Sequence, residues 1–373
     1  MAAYAKDMAS AKGVGNSPLS RFCVLEAITP SRIGGAEVYV ADIREGLSRL
    51  GAQVDLFCPA GRPFVDYAAN RGLGCITWKT HGKLDPVTVL KLAKLIRNRH
   101  ANVIHTHLST ASLLGAFAAR LAGVPAVAHV HGLNSAACFK YSTAVIAVSE
   151  AAKDHLCAQG LREDRVRVVH NGVDIARFAP MPRDQARQEL GIDASAELIG
   201  VFGRLSSEKG QQVALQAMAL LSKTMPDARM LIVGDGKDRD ELISLAGSLG
   251  ISGRVRFEGF NPEIRPMISA CDVVLVPSTK EGFGLVAVNA MALHRPVIAA
   301  AVGGLPEIVK DGETGVLVPP GEPEPMARAL SELLADPERM NQMGKLGRKR
   351  AENCFDLDRQ VGLVLEVLKE VAG

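Results

Sequence analysis

The chemistry-bearing residues of this chain cluster at glycine turns. Pro277-Ser278-Thr279-Lys280-Glu281-Gly282-Phe283-Gly284 carries one carboxylate between an apolar run, Val273 to Val276, and a helical pattern that is apolar almost all round. Strand, glycine turn and helix start together aim unpaired backbone N–H groups and the positive end of a helix dipole at one point, which suits an anion. Glu281 cannot partner an anion and is better suited to accept from hydroxyl groups. Phosphate beside polyol describes a nucleotide sugar. The helix that follows holds one polar side chain, Asn289, which needs a hydrogen-bond partner if buried.

Other turns repeat the theme. Gly203-Arg204-Leu205-Ser206-Ser207-Glu208-Lys209-Gly210 sets two cations five positions apart, a planar fork and a point charge that could both reach a diphosphate. Read alone, it is equally a solvated basic turn. Gly34-Gly35 follows the first apolar run, Phe22 to Ile28, without the spacing of a P-loop or of G-x-G-x-x-G. Gly234-Asp235-Gly236 reads as a tight strand-to-helix turn, and Asp238-Arg239-Asp240 as an acidic helix start rather than a metal-binding D-x-D. His105 with His107 and His129 with His131 each share one side of a strand. A zinc site would need a further ligand, and no adjacent carboxylate or cysteine completes it, so neither metal nor cofactor is expected.

The elements that must position these residues alternate. Strands are expected at Gln53 to Cys58, Asn102 to Thr106, Pro125 to Val130, Ala144 to Val148 and Val166 to Val169, with helices such as Pro86 to Arg99 and Ala111 to Ala122 between them. After a polar stretch from Arg177 to Ala196 the series restarts at Leu198. Alternation implies parallel sheets with helices on both faces. The fold class expected is α/β, two Rossmann-like doubly wound domains facing across a cleft. The boundaries are a flexible tail over 1–20, a first domain over 21–176, a second over 177–355, and a helix over 356–373; past Pro323 the chain reads as helical to its end.

Several classes are excluded by composition. A net charge of +3 and 4% aromatic residues leave neither the basic field nor the stacking platforms of a nucleic-acid binder. Seven scattered cysteines without a C-x-x-C pair fit buried thiols in a reducing compartment. With no apolar run of about 18 residues and no signal-peptide core, a cytoplasmic protein is expected. Basic groups at Lys91, Lys94, Arg97 and Arg99 and at Lys345, Arg348, Lys349 and Arg350 read as solvated faces, or as a peripheral contact with the inner face of a membrane.

The Glu281-Gly282-Phe283-Gly284 segment resembles the signature of the retaining glycosyltransferases of family four, which have the GT-B fold. The Arg204-Lys209 turn, Gly34-Gly35-Ala36-Glu37, the Val130-His131-Gly132 stretch and Gly303-Gly304-Leu305-Pro306-Glu307 are similar to further segments of that family, in the same order. The resemblance implies transfer of a sugar from a UDP- or GDP-linked donor to an acceptor hydroxyl of a sugar or lipid-linked sugar, in polysaccharide or glycolipid assembly, without metal. It implies catalytic roles for His131, Glu281, Arg204 and Lys209. Donor contacts would come from Gly34, Gly35, Arg204, Lys209, Phe283, Gly284, Leu285 and Asn289, and the last helix would return to the first domain. Asn289 stands where the family has a second Glu that binds ribose. Two other readings stay open on sequence: an epimerase or phosphorylase on the same fold, and a binding or scaffold protein that has lost turnover.

Overall fold

The structure is a computed structural model that describes residues 22–373. The N-terminal tail expected over 1–20 lies outside the described residues. Strands β1 (Cys23–Ile28), β2 (Gln53–Phe57), β3 (Val103–His107), β4 (Ala126–Val130), β5 (Ala144–Ala147) and β6 (Val166–Val168) form one parallel sheet in the order β2-β1-β3-β4-β5-β6. Strands β7 (Leu198–Phe202), β8 (Arg229–Val233), β9 (Val255–Gly259), β10 (Val273–Val276), β11 (Val297–Ala300) and β12 (Gly315–Val318) form a second, ordered β12-β11-β10-β7-β8-β9.

Helices cover both faces, so the central strands are buried along their whole length: every residue of β3, β4, β5, β7, β10 and β11 is buried. This is why β5, β7, β10 and β11 read as near-continuous apolar runs rather than alternating ones. Strand order reverses between β1 and β3 in the first sheet and between β7 and β10 in the second. Loops leaving the carboxyl ends of strands at such a reversal splay apart and open a crevice. The Gly34-Gly35, Arg204-Lys209 and Glu281 segments are therefore the loops that the topology presents to ligands.

The chain beyond Pro323 is helical to its end, as expected, in three helices: Pro323–Leu334, Pro337–Cys354 and Leu357–Ala372. Pro337 cannot continue the preceding helix and starts the next at its first turn, where Asp336 accepts from the Arg339 N–H at 2.9 Å. The last helix places Leu357, Val361, Val364 and Leu368 at helical spacing against Tyr39, Ile43 and Leu47 of the helix Gly35–Arg49. Burying each of those aliphatic side chains is worth about 1.5–3 kcal/mol, so the returning helix is bound mainly by its apolar stripe. The Arg49–Asp358 ion pair at its rim is half exposed or more on both sides and adds little.

Half of the second basic group is internal, against the expectation of a solvated face. Arg348 donates to the carbonyls of Phe178 and Ala292, and Arg350 donates to those of Glu307 and Ile308 at 2.7 Å. Both satisfy backbone oxygens left over where helices and loops end.

Candidate active site

Lys209 and Glu281 are brought together by the β7–β10 adjacency. Lys209 closes a short 3-10 turn after β7, and Glu281 lies in the turn after β10. The Lys209 ammonium donates to Glu281 Oε2 at 2.6 Å, and the Ser278 hydroxyl donates to the same oxygen at 3.0 Å. The two loops are also laced by backbone, with the Thr279 N–H donating to the Glu208 carbonyl at 2.9 Å. Arg204 sits at the mouth, 38% exposed and 3.3 Å from Glu208. Gly303 supports the turn from below: its φ is +56°, and a Cβ there would lie 1.8 Å from the Glu281 carbonyl oxygen. Only glycine satisfies both conditions.

The first sheet's loops close over this cluster. Gly35 abuts the Leu285 side chain at the start of the helix Leu285–Ala292. Glu37, in the first turn of the helix Gly35–Arg49, is buried, and a Cβ at Gly34 would lie 3.2 Å from its Oε2. Burial raises its pKa more than the nearby backbone N–H groups and the Arg32 and Arg204 charges lower it. Gly282 packs on Gly132 so closely that a Cβ at Gly282 would lie 2.4 Å from the Gly132 Cα. The Ser149 hydroxyl, fully buried, donates to the Gly282 carbonyl at 2.6 Å.

Phe283 is buried, stacked on His170 with centroids 5.7 Å apart and edge-on to Phe355 at 5.8 Å. The following helix is not buried all round as its apolar sequence suggests. Leu285, Val286 and Asn289 are each partly exposed, and their spacing sets them on one face. Asn289 therefore shares the face that meets Gly35.

Glu307 ties the halves together. Its carboxylate accepts from the N–H groups of Glu150 (2.9 Å) and Ala151 (3.0 Å), at the first turn of the helix Glu150–Cys157, and lies 3.1 Å from His170 Nε2. A carboxylate at a helix N-terminus meets both unpaired donors and the positive dipole end.

The four histidines converge, and the absence of a carboxylate beside them, as read from sequence, is corrected. Glu26 on β1 pairs in register with His105 on β3, and His107 pairs with His129 on β4. Glu26 Oε1 lies 2.9 Å from His105 Nδ1, and Oε2 lies 2.5 Å from His107 Nε2. His107 Nδ1 is 3.0 Å from His131 Nε2, and His105 Nε2 is 3.2 Å from His129 Nδ1. Burial pushes the Glu26 pKa up, but the two imidazoles outweigh it and hold it at about 2. Burial lowers His107 to about 4 and puts His129 and His131 well below the ordinary histidine value, the neighbouring rings adding to the effect. Among the described residues, His105, His107 and His129 could present nitrogens within 4.8 Å of one another to a metal. In this arrangement those rings are already bonded to Glu26 and to each other.

Comparison with known proteins follows the same division. Residues 182–350 match the family described as glycosyl transferases group 1, and residues 33–177 match glycosyltransferase family 4. D-inositol 3-phosphate glycosyltransferase 1 of Catenulispora acidiphila is 33% identical over 350 residues, covering 82% of this chain and 84% of that protein. The chain is a family-four glycosyltransferase. The D-inositol 3-phosphate glycosyltransferase of Corynebacterium diphtheriae is 32% identical over 370 residues, covering 86% of each. Among solved structures, Anabaena HepE in complex with UDP-glucose is similar with a TM-score of 0.85 and 28% identity, covering 93% of this chain and 99% of that one. Sucrose-phosphate synthase of Thermosynechococcus elongatus, at 24% identity and a TM-score of 0.80, shares the fold, covering 94% of this chain and 99% of its own. The glycosyltransferase thus has the GT-B architecture expected. Its Lys209, Glu281, Gly34, Gly35, Gly284 and Leu285 lie on loops that meet; His131 joins them through Gly132, and Arg204 rims them.

Proposed function

We propose that this glycosyltransferase moves a hexose from a UDP-linked donor to an acceptor hydroxyl with retention at the anomeric carbon and without a metal ion. The observation that carries the reading is the Lys209–Glu281–Ser278 cluster at the strand-order reversal of the second sheet, facing the Gly34-Gly35 helix start. Breaking the anomeric bond leaves negative charge on the diphosphate, which Arg204, Lys209 and the backbone N–H groups near Gly284 are placed to stabilise. Glu281 and the Phe283-Gly284-Leu285 backbone would hold sugar hydroxyls, His131 would meet the same sugar, and Asn289 would bind ribose with one accepting oxygen. Catalysis of this kind is mostly positioning and electrostatics. We assign residues 21–176 to the acceptor side, 177–355 to the donor side and 356–373 to the returning helix. The likeness to HepE, described with UDP-glucose, supports uridine over guanosine.

For the acceptor, the relatives' names point to D-inositol 3-phosphate. One surface favours a lipid-linked sugar at the inner face of a membrane instead. Val87, Leu90, Lys91 and Lys94 lie on the exposed face of the helix Pro86–Asn98, and Leu84 beside it is 84% exposed. Arg97 donates to the Leu121 carbonyl, joining this face to exposed Phe117, Leu121 and Tyr141. Apolar and basic residues together are what an interfacial contact needs. No described helix is long and apolar enough to cross a membrane.

The test is transfer from a panel of UDP- and GDP-hexoses in the presence of a chelator, with D-inositol 3-phosphate and a lipid-linked sugar in vesicles as acceptors and the product anomer read by NMR. Metal-free transfer from a UDP-hexose with retained configuration is expected. Sugar release or epimerisation without an acceptor, or no turnover with any pair, would overturn the reading.

A further inference from the structure

Three buried histidines, Glu26 and the partly buried His131 form one unbranched hydrogen-bonded chain: His131, His107, Glu26, His105, His129. Taking Glu26 as ionised and the four rings as neutral, valence places the protons. An ionised carboxylate only accepts, so the protons facing Glu26 are on His107 Nε2 and His105 Nδ1. A neutral imidazole carries one N–H, so His107 Nδ1 and His105 Nε2 are lone pairs. The proton in the contact between His107 and His131 therefore belongs to His131 Nε2, and that between His105 and His129 belongs to His129 Nδ1. Both arms point inward to Glu26, and both outer ends, His131 Nδ1 and His129 Nε2, are lone pairs. Those same two nitrogens are buried and lack a partner within the protein. A buried polar atom left open calls for a ligand or water to satisfy it.

We infer that Glu26 and His107 are positioning residues that lock His131 as the neutral Nε2–H tautomer, so that its Nδ1 accepts a hydrogen bond from a hydroxyl of the bound sugar. The inference rests on the donor site proposed above, in which His131 meets the sugar. Lone pairs rather than protons at this position select a hydroxyl donor and repel the diphosphate, which is itself an acceptor. The surrounding groups agree with a neutral ring. Around it lie Glu26 from β1, His105 and His107 from β3, His129 from β4, the Tyr39 ring edge-on at 6.3 Å from the helix Gly35–Arg49, and Glu281 one residue from the Gly282–Gly132 contact. Burial and the neighbouring rings disfavour the imidazolium.

Two readouts test it. The first is long-range proton–nitrogen NMR of the histidine side chains in the intact, ligand-free protein, which reports each ring's tautomer. The expected pattern is Nε2–H at His107 and His131 and Nδ1–H at His105 and His129, with His107, His129 and His131 unchanged from pH 8 to pH 6. An Nδ1–H at His131, a protonated ring among the four at pH 7, or a stoichiometric metal found by elemental analysis would overturn it. The second is kinetics of Glu26→Gln and His107→Phe. Both are expected to lower kcat about three- to tenfold, the worth of one hydrogen bond to the reacting sugar, while UDP affinity stays within about twofold, since the diphosphate cradle is untouched. Glu26→Asp should recover part of kcat and keep the tautomer pattern. Parallel losses of UDP affinity and kcat would instead mark a merely structural cluster. If the wild type binds no UDP, the donor-site reading fails while the NMR pattern still judges the chain.

Discussion

Glu307→Ala removes a clasp between the two halves, and its cost can be worked from the contacts. The carboxylate holds the first two N–H groups of the helix Glu150–Cys157 and His170 Nε2, three bonds of 2.9 to 3.1 Å. Hydrogen bonds to a charged group are worth about 1.5–3 kcal/mol each. The Glu150 N–H is open to solvent and water re-satisfies it, so the net loss is set at about 2–3 kcal/mol, near the upper range of helix-end charge effects. For a chain of this length that corresponds to a fall in Tm of about 3–4 °C at pH 7.

The pH dependence carries a sign. Burial raises the Glu307 pKa, but the hydrogen bonds from His170, Ala151 and Glu150 outweigh it and leave it below the ordinary carboxylate value. A carboxyl whose folded pKa is depressed contributes stability that is complete above its unfolded pKa and disappears as pH falls through the folded one. The gap between wild type and Glu307→Ala should therefore be full at neutral pH and close in acid, with Glu307→Gln in between. Calorimetry of the three proteins across pH checks it. A Tm change below about 1 °C at pH 7, or a gap that stays constant into acid, would refute the clasp.

Three further outcomes are expected. Asn289→Glu, which restores a charged acceptor on the face of the helix Leu285–Ala292 that meets Gly35, should keep or improve UDP affinity; a tenfold loss would mean a different ribose geometry. Gly303→Ala should cost at least about 1–3 kcal/mol in unfolding free energy and weaken UDP binding, because its Cβ would strike the Glu281 carbonyl in a left-handed backbone; a silent substitution would show that the Glu281 turn is not held from below. The double substitution Val87→Asp, Leu90→Asp should abolish co-sedimentation with anionic vesicles while leaving UDP affinity alone, and unchanged sedimentation would remove the membrane contact.

Much of this was legible in the sequence because parallel sheets write themselves plainly. Buried strands such as Val273 to Val276 are uninterrupted apolar runs, and the loops that bind ligands are marked by glycine. The Lys209–Glu281 pairing was not legible as such. Two residues 72 positions apart meet only because β7 and β10 are neighbours, and strand order is not encoded in any local spacing. Glu26 was hidden more deeply. A single carboxylate inside the apolar run Phe22 to Ile28 does not name its partner, which is identified once registration with β3 sets His105 beside it. The cue that could have found it is the cost of burying an unpaired charge: an acid in a strand apolar on both sides demands a partner. Arg348 and Arg350 show the converse, since a run of basic residues looks like a solvated face until the leftover carbonyls of other elements are known.

The central claim, that a nucleoside diphosphate is held at the reversal of the second sheet, is tested most directly by calorimetric titration with UDP in a chelator, using wild type and the Arg204→Ala, Lys209→Ala variant. Two charge-assisted contacts to the diphosphate predict micromolar binding by the wild type and a loss of about 100-fold or more in the variant, with uridine binding little changed. UDP affinity that survives the double substitution, or that falls only as much as uridine affinity falls, would contradict the account.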